Sequence, residues 1–460
     1  MKKILVKRAK GQALVVFLGF AAAMIGMLLV SFNSGQVTNA KMRAMNAADA
    51  AAYSGAVWEA RTLNFQAYMN RAMIVNEVTI AQSVSLRSWI DYMANFVNHI
   101  NMIARFIPYL GTATTAISQA LNRVDDTMQS TMPTFEAAAR TLALAEHKAQ
   151  KAFNTPGAAA AWDIASDIAS KNGAEISLGG KALMGLNLKS WDNFTETYTS
   201  TSKPDKTSGD GRKRLRAVAL DSRDGFSQNR PWDLNFLFVA KIQKQGGTDL
   251  VNFDAWKGLD SAQLCWWRAF RSCRGVPLGW GGAQAYSTKA AVQGIGTHGE
   301  GSDWNRGDGF SARSAANTTK QARSVGGAFP NYRDLKDLDT ANTAKQKLSF
   351  AVEVIIADSK VPTADSAFGA KVAMVDGTVL ALDPQYTDTK GVYGLAEACV
   401  AFERPVGESR KDGGIERPSL FNPYWRASLA TPSPATRLVA GGAKKLAAFE
   451  TIFAGAGTCG

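Results

Sequence analysis

Between Lys10 and Lys41 the chain carries no charged residue, and residues 13–32 are almost wholly apolar. Twenty residues of helix rise about 30 Å, the thickness of a bilayer's hydrocarbon core. The run predicts a membrane-crossing helix carrying Ala13, Leu14, Phe17, Phe20, Ile25, Leu29 and Phe32 into lipid. A secretory h-region is shorter, about 7–15 residues, and ends at a small-residue cleavage site. Here SFNSGQVTNA follows with no break before more helix-forming sequence. Lys2, Lys3, Lys7, Arg8 and Lys10 precede the run, and only Lys41 and Arg43 follow it closely. That asymmetry predicts a cytoplasmic N-terminus and a single pass, with everything beyond about residue 34 outside.

Charge and cysteine content agree with this placement. Of the formal net charge of +13, five units sit before the apolar run, so the remainder is thinly spread. No dense basic stripe of the kind that tracks a phosphate backbone is present, which argues against a nucleic-acid partner. A weak positive excess suits membrane lipid or an envelope polysaccharide. The four cysteines, Cys265, Cys273, Cys399 and Cys459, include no CxxC pair, and with three histidines in the chain no zinc-site spacing arises. They are candidates for two disulfides in an oxidising compartment, with three pairings open. If Cys265 and Cys273 pair, a turn must lie between them, because eight residues of straight helix would hold them about 12 Å apart.

After the apolar run, no proline occurs before Pro108, and a stripe of small residues recurs at helical spacing: Ala40, Ala44, Ala47, Ala48, Ala51 and Gly55. Small side chains let another backbone approach closely. The stripe is a packing face, either for the rest of the chain or for a neighbour. Gly11-Gln12-Ala13-Leu14, the apolar run, and Asn46 to Ala52 followed by Ser54-Gly55-Ala56 together resemble the N-terminal segment of TadG-like and TadE-like proteins. That family belongs to the tight-adherence (Flp, type IVc) pilus systems of bacteria. Residues 60–73 (ARTLNFQAYMNRAM) resemble the helix that follows in long members. Residues 420–425 (LFNPYW) resemble their late Asn-Pro-aromatic-Trp element.

The resemblance implies a structural or assembly component of a pilus, held in the inner membrane. Its implied partners are other pilus-assembly proteins or pilins. A prepilin-type leader would be cut between Gly11 and Gln12. Pilins carry a glutamate five residues past that cut, where this chain has Val16, so cleavage and incorporation into a filament stay open. The Asp-x-Ser-x-Ser metal site of many relatives is absent from the sequence.

From about 58 to 172 the pattern predicts three or four helices, punctuated by Pro108 with Gly111, Pro133, and Pro156 with Gly157. Trp89, Met93, Phe96, Val97 and Ile100 share one helical face, as do Leu142, Ala145, Ala149 and Ala152. Glycine use then changes, with only seven of the 41 glycines at or before Gly157. Residues 200–214 read as a solvated loop, and strands are expected at 215–220, 234–242, 348–356, 371–375 and 398–402. A hairpin turn at 375–378 and a closing helix at 438–453 complete the reading. The expected fold is α+β: a transmembrane helix and basic tail (1–34), a helical stalk (35–172), and an extracytoplasmic head with antiparallel strands (173–460).

Chemistry-bearing motifs are few. Gly294, Gly296 and Gly299 satisfy G-x-G-x-x-G, but Glu300-Gly301-Ser302-Asp303 follows where a dinucleotide site needs a helix. Lys181 after Gly179-Gly180 lacks the rest of a phosphate loop. Asp303, Asn305 and Asp308 miss the EF-hand register, with glycine at loop position five. Arg306-Gly307-Asp308 is a tripeptide of near-chance frequency, and the DGFS repeated at 224–227 and 308–311 reads as a reused turn that starts a strand. Trp256, Trp266, Trp267, Phe270, Trp280 and Tyr286, interleaved with Arg268, Arg271 and Arg274, form either a core knot or a sugar-binding aromatic patch. His99 and His147 read as packed or surface residues. No catalytic arrangement, cofactor site or metal site emerges. The rival to a pilus role is a membrane-tethered carbohydrate-binding protein or surface adhesin, with hydrolase activity last.

Overall fold

The computed structural model describes residues 12–106, 110–199, 211–236, 240–251, 254–266, 274–290, 312–336, 346–364, 367, 391–405 and 416–442. The expected strand at 371–375 and the hairpin turn at 375–378 lie outside them. So do the glycine-rich 294–299, the acidic loop at 303–308 and the second DGFS.

Helix α1 (Gln12–Ala104) is one helix of 93 residues, about 140 Å long at 1.5 Å per residue. Its sequence offers no proline to break the ladder. Helix α2 (Leu110–Lys171) turns back along it. Contacts from Asn98 to Asn122, Arg87 to Glu136 and Gln66 to Asn154 track an antiparallel register. The expected breaks inside the second helix do not occur, since Pro133 and Pro156 are both internal to α2. A helix-interior proline costs about 3 kcal/mol. Here α1 holds both sides of each proline in register, with Glu136 and Asn154 tied to it and Thr62 in contact with Gly157.

The rest of the chain packs on this hairpin. It runs through β1 (Glu175–Ile176), α3 (Leu178–Phe194), β2 (Thr195–Tyr198), α4 (Gly211–Asp221) and α5 (Gly225–Gln228). Then come β3 (Trp232–Phe236), β4 (Ala240–Val251), β5 (Ala255–Trp266), β6 (Arg274–Tyr286), α6 (Ala312–Lys320), β7 (Ala322–Ser324) and β8 (Tyr332–Leu335). The last described elements are β9 (Leu348–Ala357), β10 (Gly391–Phe402), β11 (Trp425–Ala430) and α7 (Pro434–Gly442). A four-stranded antiparallel sheet has the order β1-β9-β10-β11, and a mixed five-stranded sheet the order β3-β4-β5-β6-β7. A third, two-stranded sheet pairs β2 with β8; the fold is α+β, and α1 is the spine of the two larger sheets.

Three expectations about local structure are corrected. Residues 215–220 form part of helix α4, and α4 begins inside the stretch read as a loop, at Gly211. Leu215 and Ala219, four apart, bury one face in the same core as Met73 and Ile74 of α1, which selects helix over strand. The expected strand at 234–242 is two paired strands, β3 and β4, with Leu234 opposite Ile242. The first DGFS starts a helix rather than a strand. Asp224 caps the single turn of α5 by accepting from the Ser227 N–H.

Two cores follow from this packing. One joins the α1 alanines to Trp162 of α2, Trp191 of α3 and the apolar rows of β9 and β10. The other lies farther along α1, where Met73, Ile80 and Val84 meet Ala143, Leu250, Trp256 and Tyr332.

Candidate functional site

The apolar start of α1 is bare. It is long and apolar enough to cross a membrane, and no other described residues cover it. Leu14, Phe17, Phe20 and Ile25 are all more than half exposed, at 65%, 68%, 67% and 58%. Ala13 is exposed, while Leu29 and Phe32 are half-buried. Cover begins at Asn33, which is buried and accepts from the Ala364 N–H at 2.7 Å. The uncovered stretch is therefore about twenty residues, matched to a bilayer core. Gln12 begins the described chain, and Gly11 lies just outside it.

Beyond Asn33 the small-residue stripe is occupied by the chain itself. Ala44, Ala47, Ala48 and Ala51 are fully buried and Ala40 nearly so, in the core shared with β9 and β10. At Gly394 of β10 an added Cβ would strike the Ala44 carbonyl and the Met45 nitrogen, so helix and strand backbones touch. At Gly55 it would strike the Phe350 ring. The stripe is thus a seat for the sheet. Farther along, Gly281 of β6 meets the backbone at Ser88 and Tyr92 in the same way.

The segments at 60–73 and 420–425, more than 340 residues apart, are bound together by amides. Asn64 donates to the Trp425 carbonyl and accepts from the Trp425 N–H, both at 3.0 Å. Asn70 donates to the Leu420 carbonyl at 2.5 Å and to the Arg333 carbonyl at 2.7 Å. Gln150 of α2 reaches Asn70 at 2.8 Å, tying the second helix into the same joint. The Trp425 indole donates to the Ser419 carbonyl at 3.2 Å and its ring packs edge-on against Phe194. Neither asparagine was singled out by spacing, yet both lie inside the residues that carry the resemblance.

Buried ion pairs clamp the far half of α1. Arg87 meets Glu136 at 3.0 Å with both side chains fully buried. Its remaining donors go to Gln129 at 2.9 Å and the Gln321 carbonyl at 2.8 Å. Arg140 pairs with Glu77 at 2.9 Å, and Glu77 also accepts from the Trp256 indole at 2.8 Å. Asp260 of β5 takes Arg230 at 2.8 Å, Lys244 at 2.6 Å and the Ser88 hydroxyl at 2.7 Å. Burial works to raise the Asp260 carboxyl, but the two cations overcome it and hold it below the ordinary value. Glu59 has no such relief, and burial alone pushes it well up. Asp91 is raised to about 6 by burial, against hydrogen bonds from the Gly282 N–H and Asn317. The sequence signal for these pairs is charged residues on the inner face of a helix whose neighbours, such as Val84, are buried.

The other sequence candidates do not converge. Trp256 is fully buried near one end of β5, and Trp266 ends the same strand ten residues away, roughly 33 Å. Trp280 packs at a tilt against the His99 ring and lies under Arg313. The described part of the aromatic cluster is therefore spread along a sheet, and Trp256, Trp280 and Tyr286 form no shared sugar platform. Trp267, Phe270, Arg268 and Arg271 lie outside the described residues. Leu142, Ala145 and Ala152, expected on a packing face, point outward, while Ala139, Ala143 and Gln150 face α1. His99 and His147 are both half-buried, and burial lowers His147. Cys265 and Cys399 are buried and neither is a free thiol, while Cys273 and Cys459 lie outside the described residues. Among the described residues no cluster of His, Cys, Asp or Glu is arranged to hold a metal.

Residues 11–58 match the family described as putative Flp pilus-assembly TadE/G-like. The match covers the bare apolar helix and the buried alanine stripe and ends before Asn64. No curated protein and no solved structure matches the chain.

Proposed function

We propose that this TadE/G-like chain is a membrane-anchored structural or assembly component of a tight-adherence (Flp/type IVc) pilus. The observation that carries the reading is the coincidence of the family match at 11–58 with a helix that is bare over about twenty residues and clad from Asn33 onward. A membrane is the solvent that such a bare segment suits. The five cations ahead of it support a cytoplasmic N-terminus, with the two sheets outside the inner membrane. Pilus-assembly proteins or pilins are the proposed partners, along with inner-membrane lipid and envelope polysaccharide. Because the alanine stripe is filled by β9 and β10, helix contact with a neighbour along the first half of α1 is proposed to occur inside the bilayer. The chain acts by packing rather than by catalysis, and residues 1–34, 35–172 and 173–460 are its proposed working parts. The buried cysteines support two disulfides, as an oxidising compartment allows.

The deciding experiment is intact-mass and N-terminal peptide analysis of the chain from membranes and, separately, from sheared surface filaments. A chain that keeps Lys2 to Lys10 and is found only in membranes makes it a permanent anchor and assembly factor. A chain beginning at Gln12 within filaments makes it a subunit. Recovery in the soluble fraction with the apolar run intact would refute membrane anchoring. The rival carbohydrate-binding reading draws no support from Trp256, which is enclosed in the core.

A further inference from the structure

A cleft of about 760 Å³ opens between the middle of α1, helix α4 and residues 416–422. Arg71, Val75, Val78 and Gln82 of α1 line it at helical spacing, opposite Val218 and Phe421. Val75 is 63% exposed although its neighbours Met73 and Ile74 are buried in the second core. Three guanidiniums face the same space. Arg214 is held by buried Asp334 at 3.2 Å and lies over the Phe421 ring. Arg71 and Arg417 have no carboxylate partner among the described residues. Among the described residues, the one carboxylate lining the cleft, Glu416, is already taken by Arg404 and the Asn422 amide. Asp224, which meets Gln82 at the rim at 2.7 Å, is engaged as the cap of α5. Counted over the described residues, the cleft thus keeps an excess of about two positive charges over an apolar floor.

We propose that this cleft binds an acidic, apolar segment of a partner protein, with carboxylates on Arg71 and Arg417 and an aliphatic or aromatic side chain against Val75, Val218 and Phe421. Guanidinium recognises carboxylate through paired, charge-assisted hydrogen bonds. A lipid headgroup offers a similar anion. However, Val75 lies 43 residues past Phe32 on one unbroken helix, about 65 Å from the bare segment. That exclusion of lipid rests on the membrane reading of residues 13–32, whereas the cleft and its charge do not.

The test uses the full chain in detergent micelles, so it is independent of whether the chain inserts in cells. A displayed library of random dodecapeptides is selected on the wild type, on Arg71→Gln/Arg417→Gln and on Arg71→Glu/Arg417→Glu. Wild type should enrich peptides that combine Asp or Glu with large apolar residues. Binding of those peptides should fall about tenfold for each arginine removed, and the double glutamate variant should prefer basic peptides. An inverted preference cannot come from misfolding, and Val75→Asp, which keeps both arginines, should also weaken the acidic peptides. Enrichment without acidic bias, equal selection on the glutamine variant, or no selected peptides would overturn the proposal. Arginine-dependent binding of dihexanoylphosphatidylglycerol without peptide selection would make the cleft a lipid site and equally end it.

Discussion

Replacing Arg87 by methionine tests the idea that α1 and α2 are clamped by buried charge. The variant leaves Glu136 fully buried, with the Ser83 hydroxyl at 2.8 Å as its remaining partner. It also strands the Gln129 side-chain oxygen and the Gln321 carbonyl, which Arg87 satisfies at 2.9 and 2.8 Å. Breaking one half of a buried pair costs about 3–5 kcal/mol, because the surviving charge has lost its counterion and its water. The double variant Arg87→Met/Glu136→Leu removes both charges and fills the space with apolar volume. Such replacements are often close to neutral, so it should lie within about 1–2 kcal/mol of wild type. Urea unfolding of the full chain in micelles, followed by tryptophan fluorescence, measures all members of the cycle. Trp256 reports on the same core through its bond to Glu77. The coupling energy should be about 2 kcal/mol or more. A single variant costing less than about 1 kcal/mol, or a cycle without coupling, would mean that water reaches the pair and would refute the clamp.

Four further outcomes are expected. Gly394→Ala should destabilise the chain by about 1–3 kcal/mol in a thermal melt, since the new methyl meets the α1 backbone, which cannot yield. Gly185→Ala in α3, with open space around it, should be neutral or stabilising. Asp91 has a folded value of about 6, above its unfolded value near 3.9, so its contribution is fully present below pH 4 and is lost as pH rises to 6. That loss is about 3 kcal/mol, and urea midpoints of wild type minus Asp91→Asn across pH 4–7 should show it, whereas parallel curves would contradict it. Non-reducing peptide mapping should find Cys265 linked to Cys273, because β5 ends at Trp266 and returns antiparallel at Arg274, and Cys399 linked to Cys459. A 265–399 bridge would refute that pairing.

Much of the fold was readable because backbone chemistry decided it locally. The absence of proline before Pro108 favours one long helix, and the β-branched, largely apolar stretch 348–356 suits the buried strand β9. Residues 215–220 are ambiguous in sequence because a short, mostly apolar stretch suits either state, and only its neighbours on α1 select the helix. Pro133 and Pro156 misled for a related reason, since tertiary contacts on either side carry a helix across a missing hydrogen bond. The alanine stripe announced close packing but not its partner, because Ala44 and Gly394 lie 350 residues apart. The cation cleft and the Arg87–Glu136 pair were invisible for the same reason. Their charges are brought together by the hairpin and by α4, not by spacing along the chain.

The continuity of α1 couples two directions that would otherwise be independent. Each residue turns a helix by about 100°, so with no joint between Phe32 and Asn33 the azimuth at which Phe20 would sit in the proposed bilayer fixes the compass bearing of the two larger sheets. A neighbour that grips one side of the buried stretch therefore decides which flank of the molecule is offered some 65 Å above. A single residue inserted at the collar would swing that flank a quarter turn away, leaving every contact within the head intact while aiming it at the wrong place.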